Sequence, residues 1–148
     1  MILAIDIGNT NIVVGCIDEQ ETCFVERIST STDQTTLEYA ITFKNILELY
    51  HINPKGLEGA IISSVVPNIS NTVRRSVEKV IGKPCLLVGP GVKTGLNIQM
   101  DNPATVGSDL VVTAVAGIKE YKAPFVVIDM GTATTITCVD KNHNYIGG

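Results

Sequence analysis

Asp6 and Asp129 sit in the same chemical setting twice. Each closes an apolar run (ILAID and FVVID) and is followed by one apolar residue, a glycine, and a cluster of Thr and Asn: DIGNTN at 6–11 and DMGTATT at 129–135. A glycine turn lets backbone N–H groups converge on an anion, because no Cβ obstructs the approach of a phosphate oxygen. Thr10, Asn11, Thr132 and Thr134 or Thr135 add side-chain donors. A carboxylate repels phosphate, but it can hold the hydrated magnesium that bridges phosphate oxygens, which is the role open to Asp6. A single turn of this kind reads equally as a hairpin whose Asp bonds its own backbone. The second copy favours phosphate, and two such turns facing each other across a cleft would grip a nucleoside triphosphate from both sides. Neither turn matches a P-loop or a dinucleotide fingerprint.

These residues need strands to carry them. Residues 2–7, 11–18 and 22–29 predict three strands joined by tight turns, the first through Gly8-Asn9-Thr10, which tolerate unusual backbone angles. Leu37, Ala40, Ile41, Ile46, Leu47 and Tyr50 recur at helical spacing across 35–50, and Asn53-Pro54 and Gly56 end that segment. Residues 59–66 predict a buried strand, 67–81 a helix stopped by Gly82 and Pro84, and 84–88 another strand before the Gly-rich GPGVKTG. A helix opening at Asn102-Pro103 would present Val106, Leu110, Thr113, Ala114 and Ile118. Strands follow from Pro124 and over 133–140, then a turn at 141–144. The order is β-β-β-α-β-α-β, a linking helix, and the opening of a second copy. We therefore expect a first α/β domain over 1–100, a linking helix carrying an acceptor-site motif over 101–123, and the truncated start of a second domain over 124–148.

Composition narrows the function classes. Apolar residues make up 45% and charged residues 18% of 148, the profile of a folded globular chain. A net charge of −4 disfavours a nucleic-acid binder that works through a basic face. No apolar run is long enough to cross a bilayer, and the N-terminus lacks the pattern of a signal peptide. Cys16, Cys23, Cys85 and Cys138 are scattered without CxxC spacing and read as reduced core residues, which suits a cytoplasmic protein. His51 and His143 read as surface or loop residues.

DIGNTN and DMGTATT resemble the two phosphate motifs of the acetate-and-sugar-kinase, heat-shock-chaperone and actin superfamily. With SSVVPN at 63–68, TGLNI at 94–98 and DNPATVGSDL at 101–110, the chain resembles the type III pantothenate kinases from Met1 to Gly148. The resemblance implies a ribonuclease H-like (actin-like ATPase) α/β domain followed by the start of a second similar domain. It implies ATP-dependent phosphorylation of pantothenate to 4'-phosphopantothenate, the first step of coenzyme A biosynthesis, in a homodimer with no nucleic-acid or membrane partner. Asp6, Ile7, Gly8, Asn9, Thr10, Asn11, Ile12 and Val13 would line the ATP phosphates, with Asp6 nearest the magnesium, and Thr132 would add a contact. Asp129 would bind a monovalent cation, potassium or ammonium. Met100, Gly107, Ser108, Asp109 and Leu110 would line the acceptor pocket, with Asp109 as general base.

Chemistry allows that role, since an alcohol must lose its proton as it attacks phosphorus. On physics alone Asp109 reads as readily as a solvated acid early in a helix, where the dipole favours it. Two positions depart from the family pattern. Leu110 stands where an Arg is usual, removing a donor suited to pantothenate's carboxylate, and Met100 replaces a common Tyr. The departures leave open a kinase of another small alcohol or a non-catalytic nucleotide-binding regulator. In the family the second domain continues with an adenosine-binding segment and much of the dimer interface, so this chain alone is expected to be weakly active or inactive.

Overall fold

Residues 1–19 and 21–148 are described by a computed structural model, which divides into two compact units, Met1–Val88 and Gly89–Gly148. In the first unit, apolar residues at alternate positions of β1 (Ile2–Ile7) put Leu3, Ile5 and Ile7 on one face and leave Asp6 exposed on the other. β2 (Asn11–Ile17) returns antiparallel with Ile7 opposite Ile12 and Ile5 opposite Val14, and β3 (Thr22–Ser29) pairs beside it. β4 (Gly59–Ser64) and β5 (Cys85–Leu87) add in parallel, giving the order β3-β2-β1-β4-β5. That order, with antiparallel strands on one side of β1 and parallel strands on the other, is the ribonuclease H-like arrangement.

Two helices close the core. α1 (Thr36–Leu49) starts with a capping box: the Glu38 N–H donates to Thr35 Oγ1 at 3.3 Å, and the Thr35 N–H donates to Glu38 Oε2 at 2.7 Å. α2 (Pro67–Ile81) starts with proline in its first turn and ends at Gly82 in the left-handed region, φ 71°. Tyr39, Phe43 and Leu47 of α1 join Val73 and Val77 of α2 over Leu3, Ile5, Ile7 and Ile62. Burial of each such side chain contributes about 1.5–3 kcal/mol.

The three-stranded meander of the first unit recurs in the second, after a short strand and a helix. β7 (Phe125–Met130), β8 (Thr134–Val139) and β9 (Asn144–Gly147) form an antiparallel meander, and β6 (Asn97–Ile98) joins β9 in parallel, so the order is β6-β9-β8-β7. α3 (Ser108–Glu120) contributes Ala114 to a core with Val139 and Tyr145, against which Leu110, Ile118 and Phe125 pack. Gly117 is buried because the Phe125 ring lies on it: a Cβ there would come within 2.6 Å of that ring. The positions of β7 that match Leu3, Ile5 and Ile7 are Val126, Ile128 and Met130, and these are 57%, 59% and 80% exposed, with Ile136 opposite Ile128 at 51%.

Several elements differ from the sequence expectation. α3 begins at Ser108, not near Asn102, because 103–105 close a separate 3-10 turn and Gly107 is extended at φ −59°, ψ 145°. The strand expected over 59–66 stops at Ser64, where the chain turns into α2. β6 belongs to the second sheet and so lies within the compact unit Gly89–Gly148. Residues 144–147 form a strand that the sequence did not suggest; Asp140 Oδ1 accepts from the N–H groups of Asn142 at 2.8 Å and Asn144 at 2.9 Å, fixing the turn that starts it. Those bonds, Asn144 first, hold the Asp140 carboxyl below the usual range. All four cysteines are free thiols, with Cys16 and Cys85 buried and Cys23 and Cys138 half-buried, and His51 and His143 are exposed at turns. Among the described residues no helix is long and apolar enough to cross a membrane.

Gly117→Val should push the Phe125 ring away from α3 and destabilise the second unit by about 1–3 kcal/mol in urea unfolding. An unchanged midpoint would mean that the ring is not packed on the helix backbone.

Candidate functional site

The first turn is built from its base upward. Ile7 and Ile12 face each other and are fully buried, so they anchor the hairpin from beneath and can offer a ligand only backbone. Asp6 lies opposite the half-buried Val13 on the other face. At the tip the Gly8 N–H donates to Asn11 O at 2.9 Å, leaving Asn9 and Thr10 as the two exposed tip residues. The glycine serves close approach, not an unusual angle: none of Gly8, Asn9 and Thr10 takes a positive φ, while a Cβ on Gly8 would stand 3.0 Å from Asn11 O.

Thr30, which the sequence reading did not single out, completes the turn. Its hydroxyl donates to Gly8 O at 2.7 Å and its N–H to Thr10 O at 2.9 Å. Both carbonyls are thus drawn toward β3, removing from the tip the partial negative charges that would repel an anion. The sequence signal was weak, because alternation in β3 gives Thr30 no special place until the β2–β3 register sets it beside Thr10.

The second turn has the same plan with a shorter tip. Gly131 N–H meets Ala133 O at 3.2 Å, which leaves Thr132 alone at the apex, and Asp129 stands opposite Thr135. Asp129, Gly131, Thr132 and Thr134 are exposed. Asp129 shares its face of β7 with Phe125 and Val127, the face on which α3 packs.

α3 brings the remaining candidates to this unit. Gly107 is its N-cap, with Ser108, Asp109 and Leu110 in the first turn, all half-buried. A Cβ on Gly107 would collide with the Asp109 carboxylate, so the glycine is what lets that side chain lie over the helix start. Thr113 Oγ1 donates to Asp109 O at 2.8 Å, bracing the turn. Leu110 packs against the Ala114, Val139 and Tyr145 core, and Met100 is 38% exposed near Gly147. α3 reaches β7 through a short connection and crosses it at Gly117 and Phe125. Asp109 lies eight residues before Gly117, about 12 Å of helix, and Asp129 four residues beyond Phe125, about 13 Å of strand. The two carboxylates therefore occupy the same end of the unit.

Among the described residues no three His, Cys, Asp or Glu side chains cluster as a metal cage. A single exposed carboxylate such as Asp6 suits a magnesium ion whose other ligands are water and phosphate.

Thr30→Val keeps the shape and deletes the hydroxyl, so it should cost about 1 kcal/mol of stability and, on the phosphate-binding reading of this turn, weaken nucleotide binding several-fold by freeing the Gly8 carbonyl. Equal nucleotide affinity in wild type and variant, by titration calorimetry, would count against the role given to Thr30.

The sequence profile of the type III pantothenate kinases matches residues 2–148. Among solved structures, the chain is similar to a reductive activator for corrinoid, iron-sulfur protein, at 14% identity and TM-score 0.59, covering 95% of this chain and 29% of that one. That likeness bears on the fold alone. Weaker likenesses are to a ROK hexokinase from Thermus thermophilus (18% identity, TM-score 0.43, covering 59% of this chain and 34% of that one) and to the Aquifex aeolicus PPX-GPPA enzyme (14% identity, TM-score 0.41, covering 95% and 48%). The chain spans less than half the length of each of these structures. Since the family profile runs over all but the first residue, the chain belongs to the type III pantothenate kinase family.

Proposed function

We propose that the protein transfers the γ-phosphoryl group of ATP to the primary hydroxyl of pantothenate, giving 4'-phosphopantothenate in the cytoplasm. The observation that carries this reading is the family match over 2–148, joined to a carboxylate held over a glycine at the start of α3. The backbone of 6–13 and the side chains of Asn9, Thr10 and Asn11 would receive the phosphates, and Thr132 would add a contact. Asp109 would accept the hydroxyl proton as the new O–P bond forms and the β–γ bridging bond breaks, releasing ADP. Magnesium, when bound beside Asp6, would offset the phosphate charge. Asp129 would hold potassium or ammonium. Ser108, Leu110 and Met100 would shape the acceptor pocket, and a second copy of the protein would finish it, as a homodimer.

Leu110 supports one second reading, a kinase of another small alcohol. Its side chain packs toward the core of the second unit and offers no charge to a carboxylate.

The test is ADP release by the full-length protein with ATP, magnesium and potassium, with and without pantothenate. Pantothenate-dependent release is expected; ATP binding without it would sink the proposed acceptor. Asp109→Asn should abolish turnover with little change in ATP affinity, and full retained rate would remove Asp109 from the base role.

Gly107→Ala gives a sharper probe. The added methyl meets the movable end of a side chain, so the thermal midpoint should hold while displacement of the carboxylate lowers kcat about 100-fold. A drop in stability with kcat intact would reverse that assignment.

A further inference from the structure

SSVVPN at 63–68 has no part in the proposal above, yet its first residue stands beside the first phosphate turn. β4 runs parallel to β1 with Ser63 aligned to Asp6, so the two side chains leave the sheet on the same face from adjacent strands, about 4.8 Å apart. Asp6 is exposed and Ser63 is buried. A buried hydroxyl in a folded protein is hydrogen-bonded, and each of these two residues is engaged in an interaction. Within the sheet, the other neighbours of Ser63 on its face are Ile61 along its own strand and Val88 past the end of β5, both apolar. Asp6 is the flanking residue that brings a side-chain acceptor.

The residues that follow Ser63 hold this arrangement. Ser64 Oγ accepts from the Val66 N–H at 3.1 Å and lies 2.7 Å from Ser70 Oγ, which also donates to Val66 O at 2.9 Å. The Val65 N–H donates to Ile7 O at 3.0 Å, one residue past Asp6. The end of β4 is thereby tied to the start of α2 on one side and to the end of β1 on the other.

We propose that Ser63 is a positioning residue for Asp6, its hydroxyl donating to one carboxylate oxygen so that the other is directed at the metal–nucleotide complex. This rests on reading the first turn as the phosphate site for magnesium-bound ATP. A carboxylate free to rotate would sample several orientations; one fixed by a buried donor meets the hydrated ion in a single orientation.

The experiment compares wild type, Ser63→Ala, Ser63→Thr, Asp6→Asn and the Asp6→Asn/Ser63→Ala double variant of the full-length protein. Affinity for Mg·ATP is measured without acceptor, and the magnesium dependence of turnover with it. Ser63→Ala should weaken Mg·ATP binding and raise half-saturating magnesium by about 10-fold, leaving the KM for the acceptor unchanged. Ser63→Thr, which keeps the hydroxyl, should restore both values. In the Asp6→Asn background the serine should no longer matter to Mg·ATP affinity. A serine with only a packing role would lower the thermal midpoint without moving the magnesium dependence, which overturns the proposal. An equal loss of affinity from Ser63→Ala with and without the Asp6→Asn change overturns it as well. If Ser63→Ala does not fold, the Asp6 carboxyl carbon of the wild type is read by NMR in H2O and D2O. An isotope shift from the serine hydroxyl supports the bond, and its absence overturns it. Lack of acceptor-dependent ADP release in the wild type counts against the kinase reading alone, since binding and the isotope shift still decide Ser63.

Discussion

The pairing of Ile7 with Ile12 is the constraint on which the first turn depends. Both side chains are fully buried, and strand geometry then forces their neighbours Asp6 and Val13 to the opposite face. A slip of one residue would drive Asp6 into the core and bring an isoleucine out, at a cost of several kcal/mol on each count. The register is therefore held by burial, and the polar tip inherits its position from the apolar base. Thr30 finishes what the register begins, because β3 can reach the Gly8 and Thr10 carbonyls only when β2 is paired in this frame.

The second unit repeats the idea with different parts. There β7 and β8 pair with Asp129 opposite Thr135, and α3 is laid across β7 where Gly117 admits the Phe125 ring. Two glycines on one helix act in opposite ways. Gly117 permits a close contact that fixes the helix, whereas Gly107 leaves a gap into which a carboxylate folds. The first is a packing requirement and the second a positional one.

Much of this was legible in the residues. Alternation in ILAIDI and FVVIDM announced the strands, and the helix signals at Thr35, Pro67 and Gly82 were local, so the order of the first unit followed from these patterns, while the ribonuclease H-like class came from the resemblance of the two turn motifs. The start of α3 is not legible because Asn102-Pro103 carries the signature of a helix opening, and only the conformation of Gly107 separates the 3-10 turn from the helix. β9 escaped because Tyr145-Ile146 is too short to show a period, and its pairing depends on the Asp140 turn. The polar tip residues of both turns could be named from the motifs. Thr30 and Ser63 could not, since each matters through a neighbour on another strand.

Val126, Ile128, Met130 and Ile136 form the counterpart of the surface that α1 and α2 cover in the first unit. Here that surface meets water. Exposed apolar surface of this kind favours association: mild salting-out and rising concentration promote contact between such surfaces, and a small share of detergent or a shift to lower ionic strength opposes it. Hydrophobic-interaction media should therefore retain the chain more strongly than a mean hydropathy of +0.27 suggests.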